Sequence, residues 1–361
     1  MGSKKRKHEP EPWGLDTSKP TAIFQTNEGR SYTLSIALPG SIIANAQTPE
    51  LQAILAGQIA RALAVFCVDE VVIFDDGHAL TPNADDTTVE DDWDVYTGYS
   101  DPCHFLSHVL AYLETPPILR KHLFPLHPNL KFAGSLPSLD MPHHLRRGEW
   151  CQYREGVTIG SIPHRKERKA WRTPPGHAYV ETGLPMRVFV PASIPPNVRV
   201  TVKFNGVERP KEVPGSEVLA GAVAPSAPRE EAGYYWGYSV RSAKSLSAVL
   251  TECTFDGGYD LTIGTSERGV PVSSLNDTSS TPNLVPKFTH FLVVFGGVAG
   301  LEVAVKADEG LKKLSVKSPE ALFDHWVNLC PGQGSRTIRT EEAVWLGLMG
   351  LRALVLSRGK R

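Results

Sequence analysis

The chain has 361 residues, a formal net charge of −1, 41% hydrophobic residues and 21% charged residues. That composition excludes a disordered or fibrous protein and leaves room for two or three domains; with no global positive field, any nucleic-acid binding must come from local basic patches. Five scattered cysteines (Cys67, Cys103, Cys151, Cys253 and Cys330) without a CxxC pair argue against a disulfide framework or zinc knuckle, and no apolar run approaches the ~20 residues of a membrane span.

Residues 1–19 read as a disordered tail carrying Lys4, Lys5, Arg6 and Lys7, either a solvated end or a nuclear import signal. Residues 32–39 (YTLSIALP) alternate as a strand and stop at the Pro39-Gly40 turn. Residues 49–66 follow with Leu51, Ile54, Leu55, Ile59, Ala62, Leu63 and Phe66 at helical spacing and Pro49 near the start. Residues 69–75 (DEVVIFD) form a short buried-type strand, completing a βαβ unit and predicting a parallel sheet.

Residues 76–100 are acidic and turn-rich, an exposed insertion, and residues 101–124 read as helix broken at Pro116-Pro117. Between 148 and 231 helical periodicity gives way to short strand-like pieces (EGVTIG, HAYVETG, MRVFVP, VRVTVKFNG) spaced as in a small barrel or sandwich, closed by a Pro/Ala/Gly-rich stretch at 209–230. The α/β texture then resumes. Residues 242–253 read as helix, 260–267 and 290–297 as apolar strands, 322–329 as a further strand, and 339–352 and beyond as one long helix. The expected organisation is an α/β domain of residues 20–147 and 232–361 with a β module, 148–231, inserted in it.

Two glycine turns end strand-like runs. The first is Phe295-Gly296-Gly297-Val298-Ala299-Gly300-Leu301-Glu302; the second is Cys330-Pro331-Gly332-Gln333-Gly334-Ser335-Arg336-Thr337. Ligands of open α/β sheets sit beyond the carboxyl ends of the strands, where glycine lets the backbone come close. Neither turn is GxGxxG, and no GxxxxGK[ST] occurs, which removes P-loop nucleotide hydrolysis and disfavours a dinucleotide oxidoreductase. A basic run with an aromatic inside it, Arg165, Lys166, Arg168, Lys169 and Trp171, lies in a loop of the β module and is either solvated or suited to single-stranded RNA. His104 and His108, at i and i+4, have no acid ligand nearby in sequence, and the acidic positions 85–94 lack the EF-hand spacing, so no metal is expected.

Residues 57–71 (GQIARALAVFCVDEV), the Val294-to-Leu301 turn and residues 331–343 resemble the three motifs of the SPOUT methyltransferases. Arg61 falls on the arginine of the first motif; Gln58 stands for its Asn, Cys67 for its Gly, Thr337 for an Asn and Arg339 for a Ser of the third. Residues 37–47, 55–70, 132–144, 258–269 and 328–343 are similar to segments of a eukaryotic and archaeal branch of these RNA methyltransferases. The resemblance implies a discontinuous trefoil-knotted α/β domain with an inserted OB-like barrel, and S-adenosyl-L-methionine as cofactor. It implies a cofactor pocket made of Gly264, Thr265, Ser266, Phe295, Gly296, Gly297, Gly300, Glu302, Cys330, Pro331, Gly332, Gln333, Gly334, Ser335, Thr337 and Ile338. Arg61 would be catalytic, orienting an RNA phosphate or assisting the target atom, against the plainer reading of a helix-surface salt bridge. Arg336 and Arg339 would join the basic run in binding RNA. The implied partners are ribosomal or other nuclear RNA and a second subunit, identical or a close paralogue, and the implied location is the nucleus or nucleolus. The same fold without turnover would be an assembly factor in a ribonucleoprotein particle; the intact glycine turns favour cofactor binding.

Overall fold

The computed structural model describes residues 28–77, 101–160, 175–206, 216–276 and 285–360. The basic tail with Lys4 to Lys7, the acidic positions 85–94 and the run from Arg165 to Trp171 lie outside the described residues. The described residues divide into two compact units: Arg30–Met141 with 236–360, and Pro142–Tyr235 with 28–29.

The first unit begins with β1 (Thr33–Pro39), in which all seven residues are buried, as expected for the middle of a parallel sheet covered on both faces. A 3-10 turn leads to α1 (Pro49–Val65), whose first turn is fixed by the Thr48 hydroxyl accepting from the Leu51 N–H and by Pro49 at N1. α1 ends at Phe66, and Cys67 turns the chain with φ +58°. The residue that stands for the motif's glycine therefore occupies the left-handed backbone region that normally selects glycine. β2 (Glu70–Phe74) follows, fully buried. α2 (Pro102–Glu114) and α3 (Pro117–Leu123) are separate helices divided at the double proline, with Asp101 capping α2.

The second unit is a closed barrel of β3 (Tyr153–Ile159), β4 (Ala178–Glu181), β5 (Arg187–Val190), β6 (Arg199–Phe204) and β7 (Glu217–Val223), in the order β3-β4-β5-β7-β6. β5 and β7 run parallel and every other pair is antiparallel, the connectivity of a five-stranded Greek-key barrel. The fifth strand was not expected from sequence. Its EVLAGAV is small and lies in what reads as a closing linker, yet it fills the gap between β5 and β6 and removes both edges. A short helix, α4 (Ala227–Ala232), ends the unit at Gly233, φ +70°. Arg154 is buried inside this unit, and its nitrogens donate to the carbonyls of Thr182, Glu149, Leu145 and Arg146 and pin the chain segment entering the barrel.

The first unit resumes with β8 (Ser239–Ala243) and α5 (Leu246–Thr251). The single helix expected at 242–253 is therefore a strand followed by a shorter helix. SVRSA lacks an apolar signature because among the described residues it is an edge strand, paired with β2 only, and Ser245 caps the helix after it. β9 (Leu261–Pro271), β10 (His290–Val294), α6 (Leu301–Ala307), α7 (Glu309–Lys313), β11 (His325–Asn328), α8 (Thr340–Gly350) and α9 (Arg352–Arg358) complete it. The last helix is two helices, broken at Leu351, rather than one. All six strands pair in parallel in the order β11-β9-β10-β1-β2-β8. Among the described residues no helix is long and apolar enough to cross a membrane.

Candidate functional site

The three segments expected to hold the cofactor follow or belong to neighbouring strands, β11, β9 and β10, and side-chain hydrogen bonds tie them together. The Thr265 hydroxyl donates to the Val294 carbonyl (3.1 Å), joining β9 to the end of β10. The Asn328 amide donates to the Glu267 carbonyl (2.7 Å) while its oxygen accepts the Cys330 N–H (3.0 Å), joining β9 to the turn after β11. Thr340, the first residue of α8, donates to the Gly296 carbonyl (3.0 Å). Gly347 lets α8 approach both turns: a Cβ there would stand 2.9 Å from Phe295 and 3.1 Å from Leu329.

Within the first turn Phe295 is fully buried, the Gly300 N–H donates to Gly297 O (3.0 Å), and Gly300 has φ +76°. Glu302 opens α6 and pairs with the exposed Arg268 at 3.4 Å. In the second turn the Gln333 N–H donates to Cys330 O, and its side chain donates to Ser335 O. Pro331, Gly332, Gly334, Ser335, Arg336, Thr337 and Arg339 are exposed, while Cys330, Gln333 and Ile338 are half-buried. The Arg339 N–H donates to the Glu342 carboxylate, and its side chain is 77% exposed. At Gly332 (φ +75°) and Gly334 no atom of the other described residues, chain neighbours aside, lies within 4 Å of where a Cβ would stand, and at Gly297 the nearest lie at 3.6 Å. Gly264 differs: a Cβ there would meet Phe323 at 2.4 Å and Trp326 at 2.5 Å, so its smallness serves aromatic packing across to β11. Thr265 is buried, and the Ser266 hydroxyl accepts the Arg268 N–H (3.2 Å).

Among the described residues Arg61 makes no salt bridge of the kind the plainer reading expects. Its Nη1 donates to the carbonyls of Leu139 (2.8 Å) and Ser138 (3.2 Å), holding the 138–139 segment against α1. Two residues missed in the sequence stand at the same sheet edge. Ser41, after β1, donates its hydroxyl to the buried Asp76 (2.6 Å), after β2. Asp76 opens the stretch read as an exposed insertion, and the burial is a correction: the chain turns inward at this residue before the acidic segment begins. The one available signal was the PGS turn that ends β1.

The His104–His108 pair is joined by His127, with ring centroids 5.4, 5.8 and 4.8 Å apart. Burial, then His127 and His104, push the His108 imidazole down to about 4. Among the described residues no group of three or more His, Cys, Asp or Glu is arranged to hold a metal ion.

A family model described as "Putative RNA methyltransferase" matches residues 33–351. The chain is 46% identical over 342 residues to a human 28S rRNA (uridine-N(3))-methyltransferase, an alignment covering 94% of this chain and 83% of that one. It is 46% identical over 339 residues to the mouse protein of the same name, covering 93% and 80%. An uncharacterised protein of Halobacterium salinarum is 28% identical over 331 residues, covering 86% and 96%.

Proposed function

Because the chain belongs to the RNA methyltransferase family whose model spans residues 33–351, we propose that it transfers the methyl group of S-adenosylmethionine to N3 of a uridine in large-subunit ribosomal RNA. The observation that carries the reading is the convergence of two glycine turns and the β9 segment at the edge of a parallel sheet, in a chain 46% identical to a uridine-N3 methyltransferase. The parallel order β11-β9-β10-β1-β2-β8 and the three motifs support a SPOUT fold with its knot in the C-terminal part of the first unit. The barrel's connectivity supports an OB-like module, 148–231 by sequence, that holds RNA through Arg165, Lys166, Arg168, Lys169 and Trp171.

The residues present fit the cofactor. Gly332 and Gly334 leave open space beside the backbone, and Gly297 leaves ordinary contact distances. Gly296, Gly297, Gly300, Gly332, Gln333, Gly334, Ser335, Thr337 and Ile338 would hold it, with Thr265 and Ser266 beside them. When bound, it supplies an electrophilic methyl on a sulfonium; the chain's own task is to hold that group and the target atom in line and to keep water out. Arg61 keeps its Nε and Nη2 for RNA while Nη1 anchors the 138–139 segment, and Arg268, Arg336 and Arg339 supply positive charge near the turns.

The protein acts as a dimer. α1 and α8 pack on each other, with Phe66 edge-on to Trp345 at 5.6 Å. Leu51, Ile54 and Val65 on α1, with Trp345, Leu346 and Met349 on α8, remain exposed, apolar side chains that a second subunit would cover. An identical subunit or a close paralogue covers it, and the nucleus is where the protein works. Calorimetry with S-adenosylhomocysteine, followed by transfer of labelled methyl to ribosomal RNA and mapping of the product, tests the reading. Folded protein that neither binds nor transfers would instead be an assembly factor.

A further inference from the structure

β1 lies between β2 and β10; the chain moves from β1 to β2 and later returns on the other side, so the winding reverses between β1 and β10. Crevices beyond such switch points are where parallel sheets bind their ligands. Three segments meet at this one. A Cβ on Gly297 would stand 3.6 Å from Ser41 Oγ and 3.7 Å from Asp76 Oδ2, and the Ser41 hydroxyl donates to that same oxygen at 2.6 Å. The adjacent carboxylates are used differently. Asp75 is exposed, its Oδ1 accepting the Gly77 N–H at 2.8 Å to close a turn. Asp76 is only 6% exposed and points inward to the switch point. Withdrawing a carboxylate from water is costly, and here it is withdrawn to the place where the glycine turn keeps the backbone bare.

We propose that Asp76, oriented by Ser41, receives the N3 proton of the target uridine; the inference rests on the uridine-N3 reading above. Neutral uracil carries a hydrogen on N3, so N3 becomes nucleophilic only as that proton leaves. The proton passes from N3 to a carboxylate oxygen of Asp76, and the N3–H electron pair stays on the ring. The N3–CH3 bond forms as the S–CH3 bond breaks, with the latter's electron pair left on sulfur as a neutral thioether. The carboxylic acid afterwards gives its proton to water. Ser41 is a positioning residue: its hydroxyl fixes one carboxylate oxygen.

The test compares full-length wild type, Asp76→Asn and Ser41→Ala on large-subunit ribosomal RNA transcribed with uridine or with 5-fluorouridine, whose N3 is more acidic. Asp76→Asn keeps its affinity for S-adenosylhomocysteine by calorimetry. Its transfer rate at neutral pH falls about 100-fold or more, the loss expected on removing a proton-transfer group, and the deficit shrinks below about 10-fold on 5-fluorouridine RNA or at alkaline pH. Ser41→Ala lowers kcat at unchanged KM, by less, with the same rescue, and it carries the test should Asp76→Asn fail to fold. Wild-type rates in both variants, lost affinity for S-adenosylhomocysteine, or equal deficits on both RNAs overturn the assignment. Wild type that methylates no uridine N3 ends the functional reading itself, whereas N3 methylation with any of those three outcomes ends the role of Asp76 alone.

Discussion

Arg61→Ala separates holding from chemistry. The substitution removes two hydrogen bonds from a charged donor, one of 2.8 Å and one of 3.2 Å at a partly exposed site. Bonds of this kind contribute about 1.5–3 kcal/mol each, and the longer one less, so the loss is about 2–3 kcal/mol. For a unit of this size that lowers Tm by about 4–12 °C, measured by calorimetric melting. A protein that retains even ~3 kcal/mol of stability is more than ~99% folded at 25 °C, so unfolding cannot explain a large kinetic defect there. Methyl transfer is expected to fall about 100-fold, ~2.7 kcal/mol of barrier, with RNA affinity changed modestly. Arg61→Lys keeps the charge but not the fork, so it restores RNA affinity and the salt dependence while transfer stays low. Undiminished transfer by folded Arg61→Ala refutes the catalytic assignment. An unchanged Tm refutes the account of the Ser138 and Leu139 carbonyls.

At Gly334 a Cβ would stand in open space, so Gly334→Trp is expected to keep the melting temperature yet weaken S-adenosylhomocysteine binding by at least ~10-fold, about 1.4 kcal/mol. Gly264→Ala does the reverse in kind, overpacking Phe323 and Trp326 and costing about 1–3 kcal/mol in a denaturant titration. His108, pushed down to about 4, titrates in the unfolded chain near 6.5. Its contribution is therefore full above the unfolded value and is lost as pH falls from there toward 4; allowing for solvent screening of a half-exposed ring it is about 1–2 kcal/mol, and His108→Phe flattens that part of the stability–pH curve. Met349, 67% exposed, becomes a charge in Met349→Glu, which light scattering should report as monomer at micromolar concentration. Replacing Arg165, Lys166, Arg168 and Lys169 by Ala lowers the log–log salt slope of RNA binding by up to ~3 without altering cofactor affinity; an equal slope removes the barrel loop from recognition.

The elements whose residues bury one continuous face were readable from sequence: β1, α1, β2 and β10 announce themselves by apolar runs and caps that local physics alone decides. The glycine turns were equally visible, since glycine after a strand is a local backbone requirement. What local pattern could not supply were elements made by their neighbours. β8 is polar because it is an edge, and β7 is small because its two partners, β5 and β6, do the packing. Leu351 divides the last helix although nothing in its own residues forbids continuation. At the site, sequence pointed to the glycine turns but not to what holds them in place. Gly264 reads as a ligand glycine, and only the strand pairing of β9 with β11 brings Phe323 and Trp326 onto it. Asp76 reads as the first of many solvated acids, and Arg61 as a cation for RNA or for a surface salt bridge. Their burial and hydrogen bonds come from residues 35 and about 77 positions away, and contacts over such separations are fixed by the order of strands in the sheet, which no local pattern of residue types encodes.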